Sequence, residues 1–241
     1  MSCIEDAGRP STLSRHRRSS YAVVVLLCGL LLGVTPASAT AMPPQDVSVR
    51  RPRVEWDPIP YSSARKRQMA AYSGRHYGHR RWRLRRRRVI VLHFTGGSSY
   101  RSAWNTFAAN SPARGELPGV CTHYVVPRGG VIHQLVRLGV RCRHTIGLNH
   151  RSIGIEMVQP LGRGSHWAAR QILRRRAQIR SVLRLVRFLR TRFAVPMRHV
   201  IGHAMANSSP YFEELQGWRN DHTDWLRRDV LEFRRRLIRI S

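Results

Sequence analysis

Acidic side chains and lysine are scarce in this sequence. Among 241 residues there are 13 aspartates and glutamates against 43 lysines and arginines, and Lys66 is the sole lysine, so arginine carries nearly all of the net charge of +30. The densest basic run is RRWRLRRRR at residues 80–88. Such a surface favours a polyanionic partner, although a solvated, compositionally biased segment would read the same. No nucleic-acid-binding motif accompanies the charge, so a nucleic-acid partner would rest on charge alone.

The sequence also lacks an apolar run long enough to span a bilayer. Its longest run, YAVVVLLCGLLLGV at residues 21–34, is shorter than the roughly 20 residues that a spanning helix needs. RHRR precedes this run, and the small residues ASATA follow it at 37–41. This order predicts a secretory signal peptide over residues 1–41 rather than a membrane anchor, and no stable membrane span once it is cleaved. The export route, Sec or Tat, stays open.

Cysteine is rare as well. Of four cysteines, only Cys121 and Cys142 lie outside the predicted signal peptide. In an oxidising compartment such a pair is a candidate disulfide, and two buried thiols are the alternative.

Three segments are predicted along the chain, with no internal repeat. The signal peptide is followed by a basic, Pro- and Arg-rich lead-in at residues 42–88 and by one domain at residues 89–241. In that domain VIVLHF (89–94) and SIGIEMV (152–158) predict buried strands, and residues 120–136 predict a hairpin. Apolar residues spaced by three and four predict one helix over 168–193. Strands mixed with helices predict an α/β or α+β fold with one central sheet.

Two features of the sequence suggest a metal-binding or catalytic site. Several of the 12 histidines end apolar strands, which favours a metal site, although no HExxH pattern is present and a single such histidine is usually structural. In addition, Glu156 interrupts the apolar run SIGIEMV. A carboxylate is rarely buried unless it is paired or functional, so either an ion pair with an arginine or a catalytic role would explain it.

Four stretches together resemble a known family. In order, they are VLHFTGG (91–97), THYVVPRGGVIHQLV (122–136), CRHTIGLNHRSIGIEMV (142–158) and a segment of residues 200–225 containing VIGHAMANSSPY and RNDHTDW. They resemble the zinc N-acetylmuramoyl-L-alanine amidases, the family that includes bacteriophage T7 lysozyme and the peptidoglycan recognition proteins. The resemblance implies a single mixed β-sheet flanked by helices, with a Zn²⁺ site at the sheet edge.

The resemblance also implies roles for particular residues. His93 and His203 take the places of two zinc ligands, and Asp224 takes the place of the third. His222 stands where the family usually has lysine; it would donate a hydrogen bond to an oxyanion, or replace Asp224 as the third ligand. Glu156 takes the place of the general base.

Further positions map onto the substrate groove of the family. His144 and Asn149 match residues that line this groove, and Thr122 stands where some members carry a tyrosine. A bridge between Cys121 and Cys142 would brace the groove.

The expected protein is therefore an exported monomer, secreted, periplasmic or associated with the cell wall. It would cleave the amide between N-acetylmuramic acid and L-alanine in peptidoglycan, and its arginines would contact anionic cell-wall polymer rather than a specific nucleic acid. The alternatives are a recognition module without catalysis and an amidase for anhydro-muropeptides.

Overall fold

A six-stranded mixed sheet organises residues 49–240, the part of the chain that this computed structural model describes. The predicted signal peptide lies outside these residues. The strand order is β1-β4-β3-β5-β2-β6, and the β3–β4 pair is antiparallel whereas the other pairs are parallel. The strands are β1 (Glu55–Trp56), β2 (Val89–Gly96), β3 (Tyr124–Val126), β4 (His133–Gln134), β5 (Ser152–Pro160) and β6 (Val200–Gly202).

Helices flank this sheet, as the resemblance implied. They are α1 (Ser63–Tyr77), α2 (Tyr100–Ala108), α3 (Ser165–Arg174), α4 (Arg176–Phe193) and α5 (Arg227–Ile238), with 3-10 turns at Met197–His199 and His203–Ser208. Ser62 and Ser99 cap α1 and α2 by accepting hydrogen bonds from backbone N–H groups three residues on. Within residues 49–240, no helix has the length and apolar character to cross a membrane.

The two central strands place different residues on the two faces of the sheet. Ile90 and Leu92 of β2 lie opposite Ile153 and Ile155 of β5 and pack with them against α3, α4 and α5. Successive side chains of a strand point to opposite faces, so His93 and its neighbour in register, Glu156, belong to the other face. Burial of both faces explains why these strands read as nearly continuous apolar runs.

The predicted helix over residues 168–193 is in fact two helices. Arg175 interrupts it with an extended backbone (φ −83°, ψ 91°). The Arg175 guanidinium donates to Gln159 Oε1 and Gln178 Oε1, and Gln178 Nε2 donates to the carbonyls of Val126 and Val158. The break therefore lets α4 begin against the ends of β3 and β5. Apolar spacing alone does not reveal an interruption of one residue.

The segment predicted as a lead-in packs into the domain from residue 49 onward. In β1, Glu55 N donates to Ile132 O at 2.8 Å and extends the sheet beyond β4. Helix α1 buries Met69, Tyr72 and Tyr77 completely or almost completely. Residues 49–240 accordingly fall within one compact unit, and a domain boundary at residue 88 stays a prediction.

A buried histidine ties α1 to two loops. The side chain of His76 is 0% exposed; its Nδ1 lies 2.8 Å from Glu214 Oε1, and its Nε2 lies 2.9 Å from Glu116 Oε2. Burial by itself would raise the pKa of Glu116, but hydrogen bonds from Arg75 and His76 outweigh it and lower that pKa.

Replacing His76 with alanine is expected to lower the free energy of unfolding by about 3–5 kcal/mol, because two carboxylates lose their buried partner. Urea denaturation of the protein measures this change. The matched variant is Arg75→Gln, which removes a half-exposed partner of the same Glu116 and should cost at most about 1 kcal/mol. Equal losses in the two variants would show that the buried histidine has no special role.

Candidate metal and catalytic site

The candidate site lies at the end of β6 and on the neighbouring strands β2 and β5. Leu92 of β2 pairs with Gly202, the last residue of β6, so His93 and His203 follow on adjacent strands where the β2–β6 pairing ends. On the other side of β2, His93 pairs with Glu156. The carboxyl ends of parallel strands are the usual place for ligand sites in such sheets, because these ends meet at one edge.

Three side chains converge at this edge. His93 Nδ1 lies 3.0 Å from His203 Nδ1, and Asp224 completes the group with Oδ2 at 3.2 Å from His93 Nδ1 and Oδ1 at 3.1 Å from His203 Nδ1. One ligand atom from each of the three residues lies within 4.8 Å of the others, and all three residues are buried. Two imidazoles and a carboxylate are a common donor set for catalytic zinc.

A tight loop closure brings Asp224 to the histidines. Ala204 N donates to Asp224 O at 3.0 Å, and Trp225 Nε1 donates to His93 O at 3.3 Å. A Cβ at Gly202 would lie 1.8 Å from Trp225 O, so glycine is required where the two segments meet.

A chain of hydrogen bonds assigns the tautomer of His93. The Ser152 hydroxyl donates to Leu148 O at 2.8 Å, so it accepts from His144 Nε2 at 3.1 Å. His144 Nδ1 is then an acceptor and faces His93 Nε2 at 3.1 Å. Burial, and next the neighbouring histidines, lower the pKa of His144 well below its ordinary value and keep the ring neutral. His93 Nε2 therefore carries the proton, and His93 Nδ1 presents a lone pair.

The lone pair on His93 Nδ1 leaves room for a cation between His93 and Asp224. The lone pair of His93 Nδ1 faces Asp224 Oδ2, a second acceptor, at 3.2 Å, and such a contact is repulsive unless a cation or a proton lies between them. Protonation of the ring is opposed, because burial and then the charge of His203 lower the pKa of His93 to about 4. Burial would raise the pKa of Asp224, but that pKa is held far below its usual range, chiefly by the contact with His203, so the carboxylate is ionised. The donor set therefore suits a divalent metal ion.

Glu156 lies beside this cluster without a partner. The residue is partly buried, and its Oε2 is buried with no hydrogen-bond partner among residues 49–240. Burial raises the pKa of Glu156 well above its ordinary value, and the negative charge of Asp224 raises it further. The alternative explanation from the sequence, an ion pair with an arginine, is not observed among these residues. A carboxyl group in this environment is suited to accepting and returning a proton.

His222 stays outside the cluster. Its side chain is 62% exposed, and its Nδ1 lies 3.9 Å from Asp224 Oδ1. Its ring stacks on that of His203, with centroids 4.4 Å apart and an interplanar angle of 12°. The structure thus brings Asp224, rather than His222, between the two histidines.

Two of the residues expected to contact substrate are buried, and their contact with substrate stays a prediction. Thr122 and Asn149 are both 0% exposed. Asn149 Oδ1 accepts from the backbone N–H groups of His144 and Thr145, and its Nδ2 donates to the Tyr77 hydroxyl. Asn149 therefore shapes the loop that carries His144. His144 itself holds His93 through its ring, and contact between His144 and substrate stays a prediction.

Cys121 and Cys142 are buried free thiols that lie within hydrogen-bonding distance of each other. They pack in a core cluster that includes Val125 and Val158. The disulfide stays a prediction.

Sequence reasoning did not identify three supporting residues. Ser152 orients His144, Trp225 braces β2 at His93, and Gly202 permits the loop closure. A serine, a tryptophan and a glycine carry no spacing signal for such roles, because their partners are fixed by the fold and not by a periodic spacing.

Fold and site together define a single-sheet α/β domain with a His-His-Asp cluster beside an unpaired glutamate of the central strand β5. The sequence profile of the N-acetylmuramoyl-L-alanine amidases matches residues 83–224. The chain therefore belongs to the N-acetylmuramoyl-L-alanine amidase family.

Several solved structures are similar to this chain. They include the endolysin N-acetylmuramoyl-L-alanine amidase LysCS from Clostridium intestinale URNW, at 16% identity and a TM-score of 0.46, with 64% of this chain and 83% of that chain covered. A selenomethionine AmpD derivative has 16% identity and a TM-score of 0.47, with 77% of this chain and 97% of that chain covered. PlyL has 13% identity and a TM-score of 0.47, with 77% and 96% covered. A search of curated proteins gives no match.

Proposed function

We propose that this protein hydrolyses the amide bond between N-acetylmuramic acid and the L-alanine of the stem peptide in peptidoglycan. The observation that carries the proposal is the convergence of His93, His203 and Asp224 beside the unpaired Glu156, in a member of an amidase family. His93 Nδ1, His203 and the Asp224 carboxylate would hold Zn²⁺. A zinc ion bound there would supply a positive charge that acidifies water and polarises the amide carbonyl.

Glu156 moves the proton in this proposal. Its carboxylate accepts a proton from the attacking water, whose oxygen forms a bond to the carbonyl carbon of the lactyl group. The protonated carboxyl group then returns this proton to the alanine nitrogen as the C–N bond breaks. The raised pKa of Glu156 favours retention of the proton between the two steps.

His222 is proposed as a hydrogen-bond donor to the developing oxyanion. Its ring is exposed, and stacking on His203 fixes its plane beside the cluster. A donor in this place stabilises charge that is present only in the transition state.

Export of the protein is part of the proposal. The predicted signal peptide and the arginine-rich composition support action outside the cytoplasm, on peptidoglycan and on anionic wall polymer.

Release of new stem-peptide N-termini from purified peptidoglycan tests the reaction. The mature chain is expected to release peptides that begin with L-alanine. This release should stop after treatment with a zinc chelator and should resume when zinc is added back. Binding to peptidoglycan without release, with zinc present, would contradict the proposal and identify a recognition module. Release that persists with no bound metal would contradict the role of zinc.

A further inference from the structure

A second concave site lies apart from the catalytic residues. It is a cleft of about 1300 Å³ bounded by residues 49–55, the β3–β4 turn and helix α4. None of His93, Glu156, His203 or Asp224 lines this cleft. We call it the arginine cleft, because seven of the residues that line it are arginines.

One wall of the arginine cleft is a face of α4. Positions spaced by four, four and three residues share one side of a helix and rise by roughly 6 Å per four residues. The arginines at these positions are Arg176, Arg180, Arg184 and Arg187. They form a linear array of guanidinium groups rather than a single cluster.

The opposite wall contributes Arg50, Arg51 and Arg53. Pairing between β1 and β4 holds this segment in place, since Glu55 N donates to Ile132 O at 2.8 Å. The β3–β4 turn closes the cleft between the walls. A Cβ at Gly130 would lie 2.6 Å from Ala177 O, so the turn is pressed against the first turn of α4. The cleft is therefore held by the fold.

The charge in this cleft is not balanced. None of the seven arginines forms an ion pair with a carboxylate within the described part of the chain. The one acidic residue of the lining, Glu55, lies 3.6 Å from His133 Nδ1. Like charges that converge without partners repel each other, and a bound polyanion would relieve this repulsion.

Chemistry and shape narrow the class of ligand. Guanidinium groups bind phosphate in a planar, bidentate manner, and a row of them matches a repeating phosphate. A single-stranded nucleic acid usually stacks its bases on aromatic side chains, and no residue that lines the cleft is aromatic. A bilayer surface is too flat to enter a concave site. We infer that the arginine cleft binds a flexible polymer that carries regularly repeated phosphate groups and no aromatic bases.

The test measures binding of a glycerol phosphate oligomer to the mature chain. The cleft variant, Arg180→Gln/Arg184→Gln/Arg187→Gln, is expected to bind the oligomer at least about tenfold more weakly and with a smaller dependence on salt, because fewer counterions are released. The matched control is Arg170→Gln/Arg174→Gln/Arg228→Gln, which removes the same charge from exposed positions outside the cleft. This control should bind almost as tightly as the unmodified chain.

Several outcomes would overturn the inference. Equal weakening in the two triple variants would mean that only overall charge matters. Tighter binding of a single-stranded DNA oligonucleotide, or binding only to phosphatidylglycerol vesicles, would assign the cleft to another class of partner. Thermal denaturation without ligand confirms that both variants fold. Hydrolysis of polymer-free peptidoglycan should be unchanged in the cleft variant, so this inference and the proposed amidase activity can fail separately.

Discussion

Replacing Glu156 with glutamine is expected to lower kcat for amide hydrolysis by about 10²–10⁴-fold, the usual range for loss of a general acid-base group. Glutamine keeps the size of the side chain, but it cannot accept the proton of the attacking water. The buried, unpaired Oε2 makes this substitution unusually clean, since no hydrogen bond within the described residues is lost with it. Timed release of N-terminal L-alanine at saturating peptidoglycan measures the effect.

Two controls separate a chemical effect from a structural one. Zinc content should be unchanged in Glu156→Gln, because Glu156 is not one of the three converging residues. The matched variant Glu232→Gln removes a carboxylate from α5, where it pairs with Arg236 at 2.8 Å, and should keep full activity. A Glu156→Gln protein that retains zinc and most of its activity would exclude Glu156 as the base.

The second large effect is expected at Asp224, the proposed third metal ligand. Replacing Asp224 with alanine is expected to raise the Kd for zinc by more than about 100-fold, because loss of a direct ligand should exceed the 10–100-fold cost of losing an outer-shell partner. Replacing His222 with alanine should change this Kd by less than about tenfold, since its ring stacks on His203 but stays outside the cluster. Competition with a chromophoric chelator measures both constants.

A larger rise in the Kd for zinc in His222→Ala than in Asp224→Ala would make His222 the ligand and Asp224 its hydrogen-bond partner. Near-ultraviolet circular dichroism of the metal-free proteins shows whether either substitution disturbs the fold. Loss of hydrolysis in His222→Ala with zinc retained is the result expected for an oxyanion donor.

The central strands were predictable because their signals are local. VIVLHF and SIGIEMV are apolar over lengths typical of buried strands, and they form β2 and β5. The hairpin between them was also predictable from two apolar runs around Pro127 and a glycine pair, although its strands are shorter than the pattern suggested. The break between α3 and α4 at Arg175 could not be predicted, because its cause is a set of hydrogen bonds to residues of β5 and α4.

The sequence by itself determined the family, the two central strands and the unusual position of Glu156, since each depends on residue types in a short stretch or on their order. Tertiary structure alone decided that Asp224 rather than His222 meets His93 and His203, and that Thr122 and Asn149 are buried. It also decided that arginines from two distant segments share one cleft. The physical reason is that strand register and loop closure join residues more than a hundred positions apart, and no local periodicity records those contacts.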